Sequence, residues 1–489
     1  MKRSAERILT THTGSLPRPA PLREALGRLD RGLLAGADAD RLPALVARAV
    51  ADIVPRQVDA GIDVVNDGEL GKVSYARYAA RRLSGFGGRA ETARLADLED
   101  FPGWRDRILP PAQDFPGMPA CTGPVRYTGT AEAEADIANL LAATRAHAPT
   151  EAFLSAVSPG VLALFFQNRF YATQEEYLFA LADAMKHEYD AISAAGLLLQ
   201  VDCPDLARGR HEAFADLSDQ EWRRQVGLHL QALEHAIRDI PADRIRMHVC
   251  WGNYEGPHHR DVPLRDVLKL VLGARPAAIA FEAANPRHEH EWRVFEDLPL
   301  PDGKVLIPGV IDSTTNYVEH PELVAQRLLR FTRLVGTERV IAGTDCGFAT
   351  GASTVQVDPD IAWAKLRTLA DGARLASRAS LPGSREAGPP KRPSRHEFSV
   401  RRGKRIWAVA GVASWRSSAL EKMSFSKARL SRAIGHNEAG DLPGPDHEGH
   451  AVQRHGRAKM FTYPADLDRC LCLHHGETLA AMRNSRTYG

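Results

Sequence analysis

The sequence predicts an α/β fold, a (β/α)8 or TIM barrel with an insertion after its second unit and a C-terminal tail. Two observations predict it. The first 380 of the 489 residues hold eight short apolar, β-rich runs. Amphipathic helical stretches separate most of them, and several of these end at glycine just before the next run (Gly61, Gly196, Gly336). Glycine there is the usual helix stop. Apolar runs without strict alternation are buried on both faces, as in a parallel sheet. Eight such units suit a closed barrel; an open doubly wound sheet is the alternative.

In order, the runs are ILTTHTGS (8–15), IDVVNDGE (62–69), AFLSAVSP (152–159), LLLQVDCP (197–204), RIRMHVCWG (244–252), AAIAFEAA (277–284), KVLIPGVID (304–312) and RVIAGTDCG (339–347). Helices are expected over 39–60, 173–195, 219–240, 264–272 and 320–335. The interval from about Ser84 to Thr150 fits this alternation least. It holds Pro110-Pro111 and a hairpin-like CTGPVRYTG (121–129), and reads as an insertion capping the barrel mouth.

Residues 1–380 thus form the barrel and 381–489 a basic, Pro- and Arg-rich tail. The tail shows no sustained period and reads as mostly disordered, with a short helix near 417–434. Its CLCLHH (470–475) lacks the second ligand pair of a zinc site. The formal charge of +2 conceals an acidic body at −7 and a tail at +9. The body therefore offers no nucleic-acid footprint. No apolar run is long enough to span a bilayer, and the N-terminus lacks the apolar core of a signal peptide. A cytoplasmic protein is expected, and six cysteines are too few for a disulfide framework.

The chemistry concentrates at strand ends, which a barrel brings to one face. His248 and Cys250, at i and i+2, point to the same side of their strand. Glu282 closes the sixth run and Cys346 follows the eighth. All four are zinc-competent. Read singly, an H-x-C is packing. A carboxylate closing an apolar strand is harder to dismiss, because burying it unpaired is costly. Zinc coordination deprotonates a thiol, and a sulfur-rich shell suits alkyl transfer better than hydrolysis. Nearby, the Thr13-Gly14-Ser15 turn can hold a carboxylate. Asp67, Glu69 and Asp202, again at strand ends, can clasp an ammonium group; read singly, they are helix caps or salt-bridge partners. Cys203 faces away from Asp202, and Cys121 reads as structural. His258, His259, His288 and His290 lie on loops at the same face, as proton donors or as solvated side chains.

The stretches TGSLPRP, NDGEL, LQVDCPDLA, HVCWGN, AFEAAN, PGVIDS and GTDCG resemble the catalytic barrel of cobalamin-independent methionine synthase over residues 8–350. The similarity is greatest to its single-barrel methionine synthase II branch, which includes epoxyalkane:coenzyme M transferase-like proteins. The resemblance implies a (β/α)8 barrel with zinc ligands at His248, Cys250, Glu282 and Cys346. It implies homocysteine contacts at Ser15, Glu69 and Asp202, the two carboxylates acting on the substrate ammonium. It implies attack of a zinc-bound homocysteine thiolate on 5-methyltetrahydrofolate, giving methionine. Long family members add an N-terminal barrel, absent here, and carry a histidine where this chain has Thr314. The open alternatives are a zinc alkyltransferase with another donor or thiol, such as an epoxide, and a non-catalytic binding barrel of the uroporphyrinogen-decarboxylase-like group.

Overall fold

A computed structural model describes residues 1–90, 94–108, 117–352 and 355–380. All fall within one compact unit, Met1–Arg392. The tail, with its expected short helix and CLCLHH, lies outside the described residues.

The strands are β1 Val64–Val65, β2 Phe86–Gly87, β3 Ala120–Cys121, β4 Glu151–Val157, β5 Leu198–Asp202, β6 Ile245–His248, β7 Ala278–Phe281 and β8 Val305–Pro308. Six form one parallel sheet in the order β1-β4-β5-β6-β7-β8. The first and eighth apolar runs close it. Thr11 bridges Val64, Thr10 bridges Ala342, and Leu306 and Gly309 bridge Val340 and Gly343, all in parallel. Main-chain bonds from Thr11 N to Ala342 O and from Ile341 N to Leu306 O, at 2.8 and 2.9 Å, carry the closure. All eight runs are thus staves of one curled parallel sheet, as the sequence predicts.

Side chains alternate across each stave. On β7, Ile279 and Phe281 join the large apolar cluster under the helices, while Ala278 and Ala280 join Leu9, Val305, Ile307 and Ile341 inside. Above this inner apolar floor, Arg246 lies over the Phe153 ring at 4.0 Å. Polar side chains occupy the carboxyl ends of the staves.

The expected helices form at Ala37–Asp59, Gln174–Ala194, Asp219–Ala236, Leu264–Val271 and Pro321–Val335. Gly61, Gly196 and Gly336 follow three of them with φ of +88°, +79° and +90°. Such left-handed backbone is what glycine supplies at a helix end. Ser218 and Glu221 form a full capping box on the helix at 219–236.

Two sequence expectations need correction. Residues 130–147, assigned to the insertion, form the regular helix Thr130–His147, the crossover into β4. It packs on the helices at 37–59 and 174–194. Many small alanines weaken its amphipathic signature. Nor do residues 121–129 fold back as a local hairpin. Instead β3 pairs antiparallel with β2, and Leu83 bridges Tyr127. The remaining insertion carries short helices at Ala96–Glu99 and Pro102–Ile108. A further helix, Pro359–Ser380, packs on Pro321–Val335. No helix among the described residues is long and apolar enough to cross a membrane.

Candidate active site

The carboxyl ends of the staves surround a cavity of about 510 Å3. Ser15, Glu69, Asp202, His248, Cys250 and Cys346 all line it.

Strand β6 delivers His248 and, two residues on, Cys250. Cys346 arrives at the carboxyl end of the eighth run. Donor atoms of these three residues lie within 4.8 Å of one another, and all three residues are buried. The two sulfurs are 3.9 Å apart. Two thiolates on one tetrahedral zinc, each at about 2.3 Å, stand about 3.8 Å apart, so the spacing fits. Among the described residues neither ring nitrogen of buried His248 has a partner at full hydrogen-bond geometry, although the ring lies near the Ala280 backbone. Burial, then the Arg246 charge, lowers its pKa to about 3, leaving a neutral imidazole with a free lone pair. The Cys250 thiol is pushed well up by the bond to Cys346 and by burial. A neutral imidazole beside two crowded thiols is a donor set that a soft cation completes.

Glu282 stands beside this group rather than in it. Its Oε1 accepts from Trp251 N at 2.8 Å and its Oε2 from Asn285 Nδ2 at 2.7 Å, and it also touches the Cys250 thiol. Burial and the nearby sulfur raise its pKa well above the carboxylate range.

Asp202 ends β5 directly opposite His248 in the parallel register. Its Oδ1 accepts from Gln200 Nε2 at 2.8 Å. Burial and the nearby charge of Glu69 push its pKa well up. Glu69 adopts a left-handed backbone, φ +55°. Its N–H donates to Asp67 Oδ1 at 2.9 Å and its carbonyl accepts from Arg18 Nη2 at 2.8 Å. Ser15 receives the eighth loop, with Phe348 N donating to its carbonyl at 2.9 Å. These loops approach closely only because of glycine: a Cβ on Gly14 would lie 2.4 Å from Glu69 Oε1, and one on Gly347 2.0 Å from Ser15 Oγ.

The four loop histidines do not line the cavity. His258 and His288 both bond Asp261 Oδ2 at 2.9 Å, and His259 bonds Asp100 at 2.8 Å. Thr314 is turned to Asp312, its hydroxyl donating at 2.8 Å. Cys203 is buried and directs its thiol to the Val201 carbonyl, and Cys121 directs its own to Gly123. Sequence reasoning missed the upper wall: Tyr75, Arg208 and Tyr254, with Leu98 and Trp104 from the insertion. Arg208 follows the LQVDCPDLA stretch immediately, but nothing in its spacing shows which way it turns.

Residues 166–365 match the family model of the cobalamin-independent synthase catalytic domain. Asp202, His248, Cys250, Glu282 and Cys346 lie inside that match. The uncharacterized protein YxjH of Bacillus subtilis is 26% identical over 378 residues, covering 74% of this chain and 92% of its own length. A Sulfolobus acidocaldarius protein named methionine synthase is 25% identical over 345 residues, 69% of this chain and 85% of its own. Among solved structures, a B12-independent methionine synthase from Shewanella sp. W3-18-1 superposes with a TM-score of 0.56 at 20% identity, covering 76% of this chain and 98% of that one. That likeness concerns the fold. Motifs, family model and relatives agree in what the chain is similar to: the cobalamin-independent methionine synthases, whose catalytic-domain model matches residues 166–365.

Proposed function

We propose that this protein transfers a methyl group to the sulfur of homocysteine, giving methionine, with a zinc ion held by His248, Cys250 and Cys346. The observation that carries the reading is the buried His248 imidazole facing two thiols, with the Glu69–Asp202 pair in the same cavity. Bound zinc supplies a thiolate at neutral pH, where a free alkyl thiol is mostly protonated. Glu282, beside Cys250, is the fourth residue that would hold the zinc. Glu69 and Asp202 receive the substrate ammonium, and the Ser15 turn receives its carboxylate. The new bond is sulfur to methyl; the bond broken joins the methyl to its donor, for which we propose 5-methyltetrahydrofolate. The leaving group there needs a proton. Tyr75, Leu98, Trp104 and Tyr254 give the donor an apolar, aromatic wall. The four described cysteines are free, as suits the reducing cytoplasm where we place the reaction.

Elemental analysis of the purified protein tests the metal. About one zinc per chain is expected. Cys250→Ser and Cys346→Ser are each expected to lose most of it, together with the activity. Stoichiometric zinc in both variants would refute the ligand assignment.

One observation favours a second donor. Thr314 occupies the position of the family's histidine but bonds Asp312 and stays out of the cavity lining. It is thus no proton donor to a folate leaving group. An epoxide or other activated alkyl donor needs no folate site. Homocysteine methylation that proceeds with 5-methyltetrahydrofolate as the sole donor decides for the first reading.

A further inference from the structure

Glu69 sits in backbone that a non-glycine residue rarely adopts, so its surroundings must hold it there. Asp67 and Arg18 fix its main chain. Its side chain is fixed from the neighbouring stave: Ser155 Oγ on β4 donates to Glu69 Oε1 at 2.7 Å. The other oxygen, Oε2, is buried with no protein partner among the described residues.

Behind Ser155 lies Lys72, 3% exposed. Its ammonium donates to the Ser155 carbonyl, lies 3.5 Å from the Ser155 hydroxyl and stands 4.4 Å over the Tyr78 ring. Among the described residues these partners are a carbonyl, a hydroxyl and a ring, not a carboxylate. A buried ammonium without a contact ion pair is costly, and here the compensating charges are at longer range. Asp67, Asp202 and Glu188 all feel the Lys72 charge, which favours their ionised forms. The result is a directed chain. The ammonium faces the hydroxyl oxygen, the hydroxyl donates to one carboxylate oxygen, and the second oxygen is left for a ligand.

We infer that Lys72 and Ser155 are positioning residues that orient the Glu69 carboxylate toward a ligand ammonium and so set a preference for α-amino thiols over thiols without an amino group. This rests on the proposed role of Glu69 as an ammonium partner. It adds the residues that make that role selective.

The test compares homocysteine with 4-sulfanylbutanoate, which keeps the thiol and the carboxylate and lacks the ammonium. Both are titrated calorimetrically into zinc-loaded wild-type protein and into Ser155→Ala, Ser155→Thr, Lys72→Met and Lys72→Gln. Zinc content and melting temperature are recorded for each. The wild type is expected to bind homocysteine the tighter. Ser155→Ala and at least one folded Lys72 variant are expected to reduce that preference about tenfold, the scale of one charge-assisted hydrogen bond, with zinc unchanged. Ser155→Thr, which retains a hydroxyl, is expected to preserve it. A merely structural role would weaken both ligands alike and leave the ratio intact. An unchanged ratio in Ser155→Ala and in the folded Lys72 variants would overturn the inference while sparing the ammonium role of Glu69. Equal wild-type affinity for the two thiols would overturn that role itself, and the inference with it.

Discussion

Single side chains divide into those proposed to hold a metal and those proposed to hold a substrate, and substitution separates the two. Glu69→Gln and Asp202→Asn keep the shape of the clasp and remove its charge. Each is expected to weaken homocysteine binding about tenfold or more while zinc content stays at the wild-type level. Titration with homocysteine, paired with metal analysis, checks both; normal binding in both variants would remove the clasp. Gly347→Ala is expected to act differently. Its Cβ would fall 2.0 Å from Ser15 Oγ, forcing the first and eighth loops apart. The expected cost is about 1–3 kcal/mol, read from chemical unfolding, with loss of zinc because Cys346 precedes the displaced residue. The strand-end residues of this site were legible from sequence because period-2 geometry and barrel topology turn position in the chain into position in space. Ser155, Lys72 and Arg18 were not. Their roles depend on which loop abuts which stave, and no local pattern records that. Glu282 shows the same limit: its place at a strand end was readable, but its engagement by Trp251 N and Asn285 was not.

At the scale of elements, the insertion is a cap fastened to the loop after β6. The Tyr254 hydroxyl and the His258 N–H both donate to Asp97, while His259 and Arg260 hold Asp100, the latter at 2.7 Å. The sequence showed an insertion but misplaced its end. The crossover helix at 130–147 has a small-residue face rather than an apolar stripe, and β2–β3 pairing joins segments more than thirty residues apart. Beneath the latch, Asp261 joins His258 and His288. Burial opposes charge on both rings, yet hydrogen bonds to Asp261, and to Glu291 for His288, raise them to about 9 and about 10. Their folded pKa values thus exceed the ordinary 6.5. The stabilisation is full below pH 6.5 and is lost as pH rises through 9 to 10. Neighbouring Tyr254, Asp97 and His211 face the same cluster. Melting curves from pH 6 to 10 are expected to show Tm falling from about pH 6.5 and levelling off near pH 9 to 10. The fall should be smaller in His288→Gln; an equal fall in both would detach this pair from the alkaline loss. Asp97→Asn with Asp100→Asn should also speed proteolysis within 94–108 without altering zinc content.

For the whole molecule, the question is where the barrel is complete. A closed ring needs its first and last staves paired, and here residues 10–11 meet 342 while 306 and 309 meet 340 and 343. The last described helix, Pro359–Ser380, lies on Pro321–Val335, and Ser377 Oγ near its end accepts from Ile8 N at 2.9 Å. That bond ties the end of the helix back to the first stave. Closure, the outer helices and the proposed metal ligands therefore all lie within residues 1–380. This agrees with the composition, which changes at about that point from an acidic alternating body to a basic stretch without period. A chain ending at residue 380 is expected to unfold in one cooperative transition, with Tm within a few degrees of the full chain and the same zinc content. Ending it at residue 358 removes the helix, the Ile8–Ser377 bond and the buried Trp363, Leu366 and Leu369. That chain is expected to lose cooperative unfolding altogether, because the first stave then has no outer layer to pack against. A metal-free or non-cooperative 1–380 chain would mean that sequence beyond residue 380 completes the fold.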